Sequence, residues 1–181
     1  MVRLQLSLFP VSIMRILKFL PGLLFLVTAT AWSGAQVDEP APPLKGTLFS
    51  GYPLDLQAMR GKVVLVNFFS SFCKFCAYEI GNVQAFYEQH RSEGFEVIVV
   101  AIDNPEDRAR VEGMVGAYGL QGIMADDLEQ SGFERRYPTP TAFLIDRKGI
   151  VRNMTRGSKL KYYFAEQVMP LLLEPQEQPV R

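Results

Sequence analysis

Fourteen consecutive residues decide the fold of this chain: Val63-Val64-Leu65-Val66-Asn67-Phe68-Phe69-Ser70-Ser71-Phe72-Cys73-Lys74-Phe75-Cys76. The apolar run that opens this stretch predicts a strand buried on both faces, because Asn67 is its single polar residue. After the second cysteine, apolar side chains recur at helical spacing, at Ile80, Val83, Phe86 and Tyr87. The cysteines therefore stand where a buried strand passes into a helix.

Cys73 and Cys76 are the chain's two cysteines, and two residues separate them. A thiolate at a helix start is stabilised by unpaired backbone N–H groups and by the positive end of the helix dipole. A structural disulfide is a poor alternative, because a bridge across two residues hardly constrains the unfolded chain. We therefore expect a redox-active pair, in which Cys73 is the attacking thiol and Cys76, one turn further on, is the less exposed resolving thiol.

Composition limits the classes of protein to which the chain can belong. Its 181 residues, 48% of them apolar, suffice for one domain with its own core. The formal net charge is zero, but residues 1–35 contain three basic residues and no acidic one. The remainder has a net charge of about −3, with no basic patch, which argues against a nucleic-acid partner.

Residues 1–35 have the pattern of a secretory signal peptide. Arg15 and Lys18 precede an apolar run, and small residues follow it up to Ala35, our preferred cleavage position. A retained membrane anchor is the alternative, because the apolar segment 13–32 approaches the about 20 residues that span a bilayer. Both alternatives predict that the rest of the chain lies in the periplasm or in another extracytoplasmic location.

The remaining sequence divides into a proline-rich linker (36–46), a folded domain (47–173) and a flexible tail (174–181). Within the domain the pattern predicts a small hairpin or an extended lead-in at 47–56. It predicts further strands at 95–102, 122–126, 141–146 and 150–154, and helices at 105–118, 128–136 and 160–172. Pro170 is expected to kink or shorten the last helix. Strands alternating with helices, followed by a hairpin and a last helix, predict an α/β fold in which helices cover both faces of a central sheet.

Two passages together resemble the TlpA/ResA-like branch of the thioredoxin superfamily, which comprises bacterial extracytoplasmic thiol–disulfide oxidoreductases. They are Gly61-Lys62-Val63-Val64-Leu65-Val66-Asn67-Phe68 leading to the CxxC pair, and Tyr137-Pro138-Thr139-Pro140-Thr141-Ala142-Phe143-Leu144-Ile145-Asp146-Arg147-Lys148-Gly149. The resemblance implies a thioredoxin-like fold with a mixed central sheet, and a monomer that reduces disulfides of exported client proteins. It also implies apocytochrome c as one client, hence a place in cytochrome c biogenesis, and a membrane thiol donor of the CcdA/DsbD type. The chain departs from the family where Phe69 and Phe72 replace tryptophans, and where Lys74 and Phe75 occupy a space that usually contains proline.

The resemblance also assigns roles to individual residues. Pro140 corresponds to a cis-proline opposite the cysteines, and the backbone of Thr139 would then pair with a bound substrate strand. Glu79 corresponds to an acid that influences cysteine ionisation and proton transfer, although a solvent-facing glutamate of a first helical turn would give the same pattern. Phe72 and Phe75 are expected to form an apolar docking surface beside the disulfide.

The sequence gives no indication of a cofactor or a metal site. A zinc site needs four ligands, and His90 is the chain's single histidine. Ala77 follows Cys76, where covalent haem attachment requires histidine, and no glycine-rich nucleotide loop occurs. Two other functions stay open: a peroxiredoxin-like thiol peroxidase, whose pattern Ser70 matches in part, and a non-catalytic binding or chaperone module that uses the phenylalanine-rich surface.

Overall fold

A computed structural model describes residues 34–175 of the chain. Its strands are β1 (Leu44–Thr47), β2 (Pro53–Asp55), β3 (Val63–Phe69), β4 (Phe95–Ala101), β5 (Gln121–Met124), β6 (Leu128–Ser131), β7 (Thr141–Ile145) and β8 (Val151–Arg156). Its helices are α1 (Lys74–His90), α2 (Arg108–Ala117) and a C-terminal helix that consists of α3 (Lys161–Tyr163), a π-helical turn (Phe164–Val168) and α4 (Met169–Leu173). Short 3-10 helices join several of these elements.

Strand β3 forms the centre of a five-stranded sheet with the order β5-β4-β3-β7-β8. It pairs parallel to β4 and antiparallel to β7, so the sheet is mixed. All of its residues are buried, as expected for a strand with neighbours on both edges and packing on both faces. The predicted α/β fold with a central mixed sheet and flanking helices is therefore confirmed.

Alternate residues of β3 point into two separate hydrophobic clusters. Val63, Leu65 and Phe69 pack with buried residues of α1, α2 and the C-terminal helix. Val64, Val66 and Phe68 pack instead against side chains from β1, β2 and the loop that follows β6. The three helices thus lie on one face, whereas the other face carries a small sheet of order β2-β1-β6 and a short 3-10 helix, Leu56–Met59. The sequence predicted helices on both faces, and the helix on this second face is the short 3-10 helix.

Residues 36–46 do not behave as the linker that their proline content suggested. The Ala41 N–H donates to the Gly149 carbonyl oxygen at 2.9 Å, and Leu44, at the start of β1, is completely buried. Pro40 forms an isolated antiparallel bridge with Ile150. Proline lacks an N–H group but fits an extended edge segment, so a proline-rich stretch can belong to a sheet margin as well as to a linker.

The helix expected at 128–136 is also wrong, because residues Leu128–Ser131 form strand β6 and pair antiparallel with β1. The segment that leads into β6 can lie this close to β1 because residue 46 is a glycine. A Cβ there would lie 2.6 Å from the Ile123 Cδ1 atom and 3.0 Å from the Asp127 carbonyl oxygen. Hydrogen bonds to a neighbouring strand outweigh the weak local preference of this short segment.

The remaining elements follow the predictions closely. The predicted hairpin near residue 50 is the β1–β2 pair. Pro170 was expected to kink or shorten the last helix, and a π-helical turn does interrupt this helix immediately before α4, close to Pro170, which has no N–H to donate. Of the expected targeting segment, residues 1–35, all but residues 34 and 35 lie outside the described part, and so do residues 176–181 of the expected tail. Within residues 34–175, no helix is both long enough and apolar enough to cross a bilayer.

Candidate redox site

Cys73 is the N-cap residue of α1. Its backbone is extended, with φ −84° and ψ 109°, and its Sγ atom accepts a hydrogen bond from the Cys76 N–H at 3.1 Å. The thiol thus takes the place that a serine or aspartate oxygen occupies in an ordinary cap. Both cysteines are free thiols, and Cys73 is partly exposed. The sequence placed this pair correctly at the passage from strand to helix.

Cys76 lies one turn further along α1 and is fully buried. The pKa of its thiol is raised to about 12, first by burial and then by the hydrogen bond and negative charge of Cys73. The Ser70 backbone and Thr139 act in the opposite direction but do not offset burial. The two sulfurs therefore differ in burial, and burial disfavours ionisation of the Cys76 thiol.

The loop before β7 lies opposite the cysteines. The Thr139–Pro140 peptide bond is cis, as the family resemblance implied. The Thr139 carbonyl oxygen accepts from the Cys73 Sγ at 3.6 Å, and the Gly157 N–H donates to the Pro140 carbonyl oxygen at 2.8 Å. Residues 66 positions apart are thus brought together around one sulfur atom.

Two exposed phenylalanines adjoin the cysteines in the chain. Phe72 and Phe75 are 61% and 69% exposed, whereas Phe68 and Phe69 belong to the two core clusters. The guanidinium of Arg110 lies over the Phe72 ring, 4.5 Å from its centroid. A groove of about 490 Å³ beside the pair is lined by Lys74, Phe75, Tyr78, Ser158 and Leu160.

Glu79 is fully buried, so the alternative of a solvent-facing glutamate is wrong. Its Oε1 atom accepts a hydrogen bond from the Asn67 side-chain amide at 3.0 Å, and its Oε2 atom accepts one from the Lys159 backbone N–H at 2.9 Å. The helical spacing of Cys76, Ile80 and Val83 already places position 79 on the inward stripe of α1. Lys159, by contrast, was missed, because nothing in its local sequence indicates a buried lysine.

Asp103, directly behind β4, was also missed as part of the site. It is 7% exposed, and its two carboxylate oxygens accept hydrogen bonds from the Ser71 N–H at 2.9 and 3.1 Å. The Ser71 hydroxyl donates to the same carboxylate at 2.5 Å. A single side chain from the segment after β4 thereby fixes the loop that leads into the cysteines.

Thiols of unequal burial at a helix start, facing a cis-proline loop on a mixed α/β sheet, define a thioredoxin-like thiol–disulfide oxidoreductase. The chain belongs to the AhpC/TSA family, whose model matches residues 37–154. It is 33% identical over 128 residues to "Thiol-disulfide oxidoreductase ResA" of Bacillus thuringiensis (strain Al Hakam), a match that covers 70% of this chain and 73% of that protein.

Solved structures give the same result for the fold. A thiol:disulfide interchange protein of the thioredoxin family from Chlorobium tepidum TLS superposes with a TM-score of 0.63 at 25% identity, covering 77% of this chain and 99% of that one. StoA from Bacillus subtilis gives a TM-score of 0.56 at 23% identity over 71% of this chain and 97% of its own. This protein is therefore an enzyme of the thiol–disulfide oxidoreductase class that acts on disulfide-bearing substrates.

Proposed function

We propose that the protein reduces disulfides in exported proteins, and that Cys73 and Cys76 are its redox-active dithiol. The carrying observation is the asymmetry of the two thiols: Cys73 caps α1 and is partly exposed, whereas Cys76 is fully buried and its N–H donates to the Cys73 Sγ at 3.1 Å. A partly exposed sulfur can meet a client, and a buried neighbour can complete the exchange within the same molecule.

In the first step the Cys73 thiolate attacks one sulfur of the client disulfide. A bond forms between Cys73 and that sulfur, the client S–S bond breaks, and the other client sulfur leaves as a thiolate. The Cys76 N–H at the helix start supports the negative charge of the attacking sulfur before the bond forms.

In the second step Cys76 gives up its proton and attacks the Cys73 sulfur of the mixed disulfide. The Cys73–Cys76 bond forms, and the client leaves with two thiols, having gained two electrons. Two of the causes that raise the pKa of Cys76, the hydrogen bond with Cys73 and the charge of Cys73, depend on a free Cys73 sulfur. Because the mixed disulfide removes the Cys73 charge, ionisation of Cys76 becomes easier at the moment when it is needed.

A client strand has a recognition surface beside this sulfur. The Thr139 backbone lies next to Cys73 at the cis-Pro140 turn, and an extended client segment can pair with it as an added strand. Phe72 and Phe75, both well exposed, supply apolar contact on the helix side. Such a surface suits an unfolded or extended client, of which apocytochrome c is one example.

The location and the electron source complete the proposal. The basic, then apolar segment at 1–35 supports export to the periplasm by an N-terminal signal, or retention there by an anchor. A membrane thiol donor of the CcdA/DsbD type would return two electrons to the Cys73–Cys76 disulfide after each turnover. We further propose that the protein works as a monomer and uses no bound cofactor.

Two cysteine variants and one titration test the redox assignment. We expect Cys73→Ala to abolish turnover of a disulfide-bonded client, because no accessible nucleophile remains. We expect Cys76→Ala to accumulate a covalent client adduct through Cys73, visible on non-reducing gels and by mass spectrometry. A glutathione or dithiothreitol titration of the wild-type protein should give a reducing midpoint potential, well below the about −120 mV of a strong periplasmic oxidant.

Other results would contradict the proposal in specific ways. A potential near that of the strong oxidants would reverse the direction of electron flow. Rapid peroxide consumption by the reduced protein, with Cys76 dispensable, would favour a thiol peroxidase. Client binding that persists undiminished in the Cys73→Ser, Cys76→Ser double variant would favour a non-catalytic binding module.

A further inference from the structure

A buried cluster of three polar side chains lies beneath the cysteines. Asn67 in β3, Glu79 in α1 and Lys159 in the loop before the C-terminal helix are all completely buried. The same loop is tied to the start of α1 a second time, by a hydrogen bond from the Ser158 hydroxyl to the Phe75 carbonyl oxygen at 3.2 Å. Charged side chains are almost never fully buried without partners. The partners of Glu79 and Lys159 in this cluster therefore indicate its charge state.

The hydrogen bonds of the cluster are those of an ammonium ion facing a carboxylate. The Lys159 Nζ atom lies 3.4 Å from each of three oxygens: Oε1 and Oε2 of Glu79 and Oδ1 of Asn67. An ammonium group has three donors and no acceptor, so each donor has an oxygen to meet. Glu79 accepts bonds from Asn67, from the Lys159 backbone and from the ammonium, and donates none.

Building on the dithiol function proposed above, we propose that Lys159 is a positioning residue of the redox site. Its ammonium keeps Glu79 ionised and oriented, one helical turn beyond Cys76. Glu79 then accepts the proton that Cys76 loses in the second step. The proton then passes from Glu79 to solvent or to the departing client thiolate, so protons and electrons balance. Lys159 itself touches neither sulfur in this scheme, and it acts through Glu79.

The other titratable groups around the cluster do not replace Glu79 in this role. Burial lowers the pKa of Lys159, while the charge of Glu79, followed by the Cys76 and Cys73 charges, opposes that change. Tyr163 of α3 also interacts with Glu79, but burial raises its pKa to about 12, which keeps its hydroxyl protonated at neutral pH. Among these groups, the Glu79 carboxylate is the one that forms an ion pair with the Lys159 ammonium.

Reaction with the small aromatic disulfide 5,5′-dithiobis(2-nitrobenzoate) separates the two steps. Attack by Cys73 releases the first coloured thiolate, and attack by Cys76 on the mixed disulfide releases the second. In Lys159→Met the buried Glu79 loses its countercharge and takes up a proton, so the cluster stays neutral overall. We therefore expect an unchanged first phase and a second phase slowed by about a hundredfold at neutral pH, the scale of general base catalysis.

The pH profile distinguishes positioning from a merely structural role. The slowing of the second phase in Lys159→Met should diminish as pH rises, because Glu79 is then deprotonated again. In Glu79→Gln the second phase should be slow at every pH. Lys62→Met is the matched control, since Lys62 forms an exposed ion pair with Glu96 at 2.7 Å. Both phases of that variant should equal those of the wild type.

Two outcomes would overturn the role of Lys159. One is a folded Lys159→Met protein whose second phase is unchanged or has the wild-type pH profile. The other comes from the Glu79→Gln, Lys159→Met double variant, which contains no unpaired charge and so is informative even if Lys159→Met alone does not fold. The rate of its second phase should equal that of Glu79→Gln alone. Any further slowing would show that Lys159 does not act through Glu79. A wild-type protein that releases no coloured thiolate through Cys73 would instead refute the proposed dithiol function itself.

Discussion

At the scale of single residues, position on α1 gives two identical side chains different chemistry. Cys73 is the N-cap, where its sulfur accepts an N–H and remains partly exposed, whereas Cys76 enters the hydrophobic cluster beneath the sheet. An apolar environment disfavours the thiolate because it withholds hydration, and so it raises the pKa of Cys76 to about 12. The proposed mechanism thus depends on a burial difference between residues three positions apart.

The raised pKa predicts a specific loss of stability at alkaline pH. Folded Cys76 retains its proton up to about 12, whereas the unfolded thiol loses it near 9.0. Folding therefore gains from this group below pH 9.0, and the gain is lost as pH rises toward 12, by at most about 1.4 kcal/mol per pH unit. Urea unfolding of the reduced protein should show a steeper decline over this range than Cys76→Ala, and parallel curves would contradict the assignment.

At the scale of elements, the helix start is fixed from a neighbouring strand. Asp103 follows β4 and accepts both the backbone N–H and the hydroxyl of Ser71, two residues before Cys73. The Phe69 carbonyl oxygen also accepts from the Ile102 N–H at 2.9 Å, so the ends of β3 and β4 are joined where the cysteine loop begins. We therefore expect the orientation of the Cys73 sulfur to depend on this connection between two strand ends.

Substitution of Asp103 should therefore affect both stability and reactivity. Asp103→Ala leaves the part-buried Ser71 N–H without its acceptor and should lower the free energy of unfolding by about 1–3 kcal/mol. Asp103→Asn keeps one oxygen and should lose less. Denaturant unfolding and the rate of Cys73 alkylation measure the two effects; equal values for wild type, Asp103→Asn and Asp103→Ala would show that this contact does not hold the loop.

At the scale of the whole molecule, the two faces of the sheet are covered by different means. On one face of the sheet, α1 packs together with the other helices. On the other face, the hydrophobic cluster is covered by β1, β2 and residues near Phe133 and Tyr137. Within residues 36–46, Ala41 and Leu44 therefore belong to the folded domain, since both are buried in the second cluster.

A pair of alanine substitutions tests whether residues 36–46 are part of the folded domain or the linker that composition suggested. Leu44→Ala removes a fully buried side chain and should lower the free energy of unfolding by about 2–5 kcal/mol. Val37, 48% exposed, is the matched control, and Val37→Ala should change stability by less than about 0.5 kcal/mol. Equal, small effects in urea unfolding would restore the description of 36–46 as a linker.

The sequence by itself determined the buried strand, the cysteine helix and the place of the two thiols, because apolar periodicity and a two-residue spacing are local properties. The tertiary structure alone decided what surrounds them. Lys159 reaches Glu79 across 80 residues, Asp103 reaches Ser71 across 32, and β6 becomes a strand because β1 lies beside it. Contacts of this kind depend on which distant groups the folded chain brings together, and local periodicity contains no information about that choice.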